Sequence, residues 1–179
     1  GGTARGLLCG GDQEVTVRNC LFFFLAACLV QGADYRPGAE AQRQDGVPQG
    51  KVTEHSWNQC KAFPGTTRSY WVYLPAQYDG KKPANLMVFQ DGGGFVREKG
   101  HTRVPIVFDN LIQKGDMPVT VGLFVNPGSV PGAEPGNQPR RNRAFEYDTV
   151  NADYANFIID ELLPAVVKGR TYFRLVAGP

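Results

Sequence analysis

The chain has 179 residues, 42% of them hydrophobic and 20% charged, with a formal net charge of +2. That is the length and composition of one globular domain, with no internal repeat. Lys and Arg are scattered apart from Arg140, Arg141 and Arg143, so no nucleic-acid partner is expected.

The only methionines are Met87 and Met117. The chain is therefore expected to be cut from something longer, or to start at an alternative codon, with Val15 or Val17 as candidates. Residues 1–17 carry no periodic pattern. Arg18 then precedes eleven apolar residues, 20–30, too few to span a bilayer as a helix. A basic residue, a short apolar core and the small residues Gly32 and Ala33 read as a secretory signal peptide. The competing reading is a buried core helix. Residues 25–28, Leu-Ala-Ala-Cys, also resemble a bacterial lipobox, which would lipidate Cys28 and give the one route to a membrane. The expected location is secreted or periplasmic, with a lipoprotein as the alternative. Of the four cysteines, Cys9, Cys20, Cys28 and Cys60, no pair has metal-ligand spacing. After processing Cys60 could stand alone, so neither a structural disulfide nor a metal or other cofactor is expected.

Residues 1–33 are thus a leader and 34–50 a linker or disordered lead-in, rich in Gln, Gly, Pro and charge with almost no large apolar residue. Residues 51–60 and 67–74 alternate and carry β-formers, with Pro64-Gly65 as a turn signal between them, which predicts an antiparallel pair. Ser69, Trp71 and Tyr73 belong to one face, and Tyr70, Val72 and Leu74 to the other. A short apolar run, 85–90, suits a strand buried on both faces. Val104, Val107, Phe108, Leu111 and Ile112 fall at helical spacing and Gly115 is a plausible stop. Another buried strand is expected at 118–126. The loop 127–143, with four prolines and three glycines, is long enough to be functional or mobile. Asp148 or Thr149 can cap a helix with the stripe Tyr154, Phe157, Ile158, Leu162 and Val166, which Pro164 should kink or locally break. A last strand is expected at 172–177. Two antiparallel strands feeding strand–helix units make the front half of an α/β sheet enzyme.

The strand 85–90 stops at Asp91 and the run Gly92, Gly93, Gly94, Phe95. Three glycines permit positive φ and close approach to the main chain. They stand at the C-terminal end of a buried strand, where open α/β sheets bind ligands. One reading is an oxyanion hole, with backbone donors facing the charge that develops in acyl transfer. The other is a plain glycine-rich turn.

Three stretches together resemble the Putative esterase family, which includes the enterochelin (ferric-enterobactin) esterases and related secreted bacterial esterases of the α/β-hydrolase fold. They are the strand with Gln90-Asp91-Gly92-Gly93-Gly94-Phe95, the segment Arg143-Ala144-Phe145-Glu146-Tyr147-Asp148, and the helix ending Glu161-Leu162-Leu163-Pro164. The resemblance covers residues 51–179 and implies a partial α/β-hydrolase domain, the N-terminal half of its sheet, acting on a small-molecule ester. It implies that 85–90 lies between 118–126 and 172–177, all parallel. It also implies a Ser nucleophile in Gly-x-Ser-x-Gly after the fifth strand. Residues 172–177 look like that strand, and Gly178-Pro179 like the entry to the elbow.

No Gly-x-Ser-x-Gly occurs in these residues. The nucleophile is expected just beyond Pro179, with acid and histidine further on, and the 179 residues alone are expected to be inactive. Gly92, Gly93, Gly94 and Phe95 would form the oxyanion loop. Arg143 and Glu146 are expected as an ion pair positioning the loop, or Arg143 faces an anionic or catecholate-bearing substrate. Asp91 is expected in a structural role, and His101 is a weaker candidate for substrate contact. His55 is expected as a half-exposed strand residue, and Ser129 lacks a strand-to-helix turn. The alternatives are a non-catalytic binding module on a degenerate hydrolase scaffold, and a carbohydrate (acetyl or feruloyl) esterase.

Overall fold

A computed structural model describes residues 36–132 and 138–168. The leader with its cysteines at 9, 20 and 28, the middle of the proline-rich loop (133–137) and the strand expected at 172–177 lie outside the described residues.

β1 (Lys51–Trp57) and β2 (Arg68–Leu74) pair antiparallel, Lys51 opposite Leu74 and Trp57 opposite Arg68. β2 pairs antiparallel with β4 (Thr120–Val125), and β4 runs parallel to β3 (Asn85–Gln90), Asn85 opposite Thr120. The order among the described residues is β1-β2-β4-β3. A parallel pair needs a crossover, and α2 (Val104–Lys114) supplies it. It follows the short turn α1 (Gly92–Phe95). Pro105 stands in the first turn of α2. Gly115 closes the helix at φ 80°, donating its N–H to the Leu111 and Ile112 carbonyls.

The period-2 alternation of β2 places its residues as expected. Tyr70 and Val72 join Val121, Leu123 and Val125 under Phe157, Ile158, Leu162 and Val166. Tyr73 joins Phe124 under Val104, Phe108 and Ile112, with Trp71 against that cluster. The two helical layers therefore cover opposite faces. Phe124 and Phe157 are fully buried, and burial of each contributes about 1.5–3 kcal/mol.

Three expectations need correction. First, β3 is not buried on both faces: Met87 and Val88 are 42% and 38% exposed, whereas every residue of β4 is buried. β4 has neighbours on both sides; β3 has one among the described residues. Second, the C-terminal helix is in pieces: α3 (Arg143–Tyr147), α4 (Asp153–Asn156), a π turn (Phe157–Leu162) and α5 (Leu163–Lys168). Pro164 has no N–H for the Asp160 carbonyl and its ring crowds that group; the wider π turn just upstream makes room. The side-chain acceptor at this entry is Asn151, whose Oδ1 receives the Asp153 N–H at 3.0 Å, not Asp148 or Thr149.

Third, the lead-in is docked. From Pro37 on, the described lead-in packs with the strands and helices that follow. Asn110 Nδ2 donates to the Glu40 and Gln42 carbonyls, both at 2.8 Å. Asp109 is buried and accepts from Gly50 N–H (2.8 Å), Tyr73 O–H (2.6 Å) and Arg43 (2.7 Å). Arg43 also pairs with Glu98. A segment with almost no large apolar side chain is held here by main-chain carbonyls and one buried carboxylate. Burial and the Asp109 hydrogen bond push the Tyr73 phenol well above its ordinary range.

Candidate active site

The site lies at the C-terminal ends of β3 and β4. Asp91 takes the left-handed conformation, φ 53° and ψ 37°, which Asp tolerates better than most non-glycine residues. The chain then turns at once into α1. A Cβ on Gly92 would stand 2.4 Å from the Phe124 carbonyl carbon and from Val125 N, so only glycine lets the turn rest on β4. Gly93 donates its N–H to Asn126 Oδ1 at 2.9 Å. A Cβ there would lie 3.2 and 3.3 Å from the Asn126 amide and 3.3 Å from Trp71. Gly94 is exposed, and its N–H donates to the Asp91 carbonyl at 2.9 Å.

The oxyanion expectation is narrowed by this geometry. The glycines do not form an open row of donors, because two of their N–H groups already have acceptors within the turn and its neighbour. The first N–H groups of any helical turn lack intrahelical acceptors, and here the Asn126 side chain meets one of them. Asn126 was missed in the sequence. Its only signal is a polar residue directly after the apolar run that ends β4.

The Arg-x-x-Glu-Tyr segment forms α3 and works in two directions. The expected ion pair between Glu146 and Arg143 does not form; Glu146 pairs with Arg68, both side chains 0% exposed. Arg68 donates to Oε2 at 2.7 Å and to Oε1 at 3.0 Å. Glu146 also accepts from Asn142 Nδ2 at 2.9 Å and from Gly128 N–H at 3.2 Å. The Arg68 guanidinium lies 4.3 Å from the Phe157 ring centroid. This network ties both ends of the proline-rich loop to the start of β2.

Arg143 instead forks onto Asp91: Nε donates to Oδ1 and Oδ2 at 3.0 and 3.1 Å, and a terminal nitrogen to Oδ2 at 2.7 Å. That hydrogen-bonded carboxylate raises the Arg143 pKa further. The Asp91 N–H donates to the Tyr147 hydroxyl at 3.3 Å. Tyr147 packs edge-on against Tyr154, ring centroids 4.9 Å apart, and burial lifts both phenols above their usual range. Val88, Phe89, Gln90, Asp91, Phe95 and Tyr154 line an open cleft beside the turn.

A family model described as Putative esterase matches residues 62–172, a span containing all of these elements. The chain belongs to that family. Among solved structures it resembles a ferulic acid esterase of Anaeromyces mucronatus complexed with ferulic acid. The identity is 16%, the TM-score 0.56, and the match covers 80% of this chain and 50% of that one. The same enzyme without substrate matches at 16% identity and TM-score 0.52, over 80% and 51% of the two chains. This chain thus spans about half the length of those structures. At such identity the likeness establishes the fold, α/β with antiparallel and parallel strands flanked by helices. No curated protein matches.

The remaining candidates lie apart or at the margin. His55 is half-buried on β1, stacked on Tyr70 at 5.0 Å and 3.1 Å from Thr53 Oγ1. Ser129, on the two-residue strand β5 (Ser129–Val130) paired with β6 (Arg140–Arg141), donates its hydroxyl to the Thr67 carbonyl at 3.3 Å. No strand-to-helix turn surrounds it. His101 is exposed in a loop whose next residue, Thr102, donates to the Gly94 carbonyl at 3.3 Å, so the loop folds back on the turn. Cys60 is buried, and burial pushes its thiol pKa up, away from the reactive thiolate. Among the described residues no group of three or more His, Cys, Asp or Glu is placed to hold a metal, and no helix is long and apolar enough to cross a membrane.

Proposed function

We propose that the full-length protein is a secreted or periplasmic serine hydrolase of carboxylic esters with a hydroxyaryl acyl group. Feruloyl esters of sugars and catecholate siderophore esters both carry that group. The observation that carries the reading is the turn at Asp91–Phe95, with left-handed Asp91 and Gly92 seated against β4, at the strand ends where open α/β sheets bind ligands. The aromatic walls of the adjoining cleft, Phe89, Phe95 and Tyr154, support an aryl acyl group. The family supports ester chemistry, and the resembling structure with ferulic acid is in keeping with it.

In this reading a serine following Pro179 attacks the ester carbonyl, a later histidine takes its proton, and the negative oxygen of the tetrahedral intermediate is met by main-chain donors of the turn. Loss of one such donor costs a factor of about 10²–10³ in rate. The Asn126 amide must yield its hold on Gly93 N–H, or share it, for that donor to reach an oxyanion.

The test is to read the residues that follow position 179 in the source gene and to assay the full-length protein. The expected result is Ser, any residue and Gly, with turnover of methyl ferulate or of a 2,3-dihydroxybenzoyl serine ester above that of p-nitrophenyl butyrate. The ratio of the two substrates that carry a hydroxyaryl group on the acyl side separates the sugar-ester from the siderophore reading. A full-length protein that cleaves none of the three overturns the proposal.

A further inference from the structure

We propose that Arg143 and Tyr147 are positioning residues for the oxyanion turn: together they hold Asp91 in its left-handed conformation, and Arg143 cancels the charge of the Asp91 carboxylate beside the donors. The inference rests on the ester-hydrolase reading above and names residues that act on that site through Asp91.

Three observations carry it. The first is backbone strain. Asp91 is one of two non-glycine residues at positive φ among those described, and it immediately precedes the turn. A strained residue persists where its surroundings over-determine it. Here the Tyr147 hydroxyl accepts its N–H and Arg143 donates to both oxygens of its side chain, so main chain and side chain are gripped from one short helix. That helix is itself anchored by Glu146 in the buried Arg68 network.

The second is charge. A carboxylate one residue before a set of N–H donors opposes the negative oxygen those donors would stabilise, a repulsion that solvent reduces near a protein surface but does not abolish over a few ångströms. The fork of Arg143 on Asp91 makes the pair neutral.

The third is exposure. The Arg143 and Asp91 side chains are 54% and 42% exposed, and ion pairs so placed add little to stability. A pair of little worth to the fold, built on the residue that aims the turn, is fitted to serve rate.

The test uses the full-length protein, with kcat and KM for methyl ferulate at neutral pH and a thermal melt for each variant. Arg143→Gln leaves the Asp91 charge bare, and kcat is expected to fall about tenfold or more with KM changed less than about twofold. Adding Asp91→Asn removes the bare charge while keeping a side chain that accepts the left-handed conformation, so the double variant is expected to be faster than Arg143→Gln alone. Melting temperatures of both are expected to stay within a few degrees of the parent. Tyr147→Phe, which removes the acceptor for Asp91 N–H, is expected to lower kcat with KM held. A parent protein active on methyl ferulate with Arg143→Gln equally fast, or with a double variant no faster than the single, overturns this inference alone. A parent inactive on every ester overturns the function on which it rests.

Discussion

Removing the Glu146 carboxylate should unfold the region around the loop. Glu146 and Arg68 are both inaccessible to solvent, joined by bonds of 2.7 and 3.0 Å. In Glu146→Ala the guanidinium keeps Thr66 Oγ1 (3.0 Å) and the Phe157 ring but loses its only buried counter-charge among the described residues. Stranding one member of a buried pair costs about 3–5 kcal/mol. The Gly128 N–H and the Asn142 amide lose their acceptor as well, and each orphaned buried group adds about 1–3 kcal/mol. A total of about 5–11 kcal/mol compares with a whole-domain stability of about 5–15 kcal/mol. At about 2–4 °C per kcal/mol for a chain of this size, the full-length variant should melt at least 10 °C lower, or fail to accumulate folded. Differential scanning calorimetry or urea unfolding reads this directly. The double variant Arg68→Met/Glu146→Leu removes both charges and should be far less damaged than the sum of its singles, because the apolar cluster at Phe63 and Phe157 accepts apolar atoms. A Glu146→Ala protein within about 1 kcal/mol of the parent would show that the network is not the anchor described here.

Two further outcomes follow from the same contacts. Tyr73, Tyr147 and Tyr154 all have pKa values raised in the folded chain, so their contribution is complete below the unfolded phenol value near 10 and is lost as pH climbs through the raised folded values; alkaline unfolding should begin above about pH 10, with tyrosinate absorbance rising together with loss of the circular-dichroism signal. Tyrosinate absorbance that rises fully while the fold persists would refute it. Asp109→Asn should loosen the lead-in, because the two-oxygen acceptor for Gly50 N–H, Tyr73 O–H and Arg43 is lost; trypsin should then cut after Arg43 several-fold faster, and an unchanged cutting rate would place the docking elsewhere.

Much of the fold was legible because it depends on local period. Alternation in Arg68–Leu74 placed Tyr70 and Val72 on one face and Tyr73 on the other, and the residues of Val104–Lys114 fell at 3.6-residue spacing up to a glycine that only needed a left-handed stop. The family resemblance was carried by residues that the structure gathers at one end of the sheet: Asp91 and its glycines, then Arg143, Glu146 and Tyr147. What sequence could not decide is which opposite charge each charge meets. Arg143 and Glu146 lie three apart, a spacing that suits a helical pair, yet their side chains leave the helix in different directions, one to Asp91 at the surface and one to Arg68 in the core. Partners separated by 52 and 78 positions are set by how β2, β3 and α3 pack, and no local pattern encodes that. The lead-in shows the same limit. Its composition lacks apolar side chains, but Asp109 and Asn110, buried on a helix that reads as ordinary, offer hydrogen bonds to its backbone and to Arg43. Composition sets how much apolar surface a segment can bury; only the tertiary arrangement decides whether a buried polar group waits for its main chain.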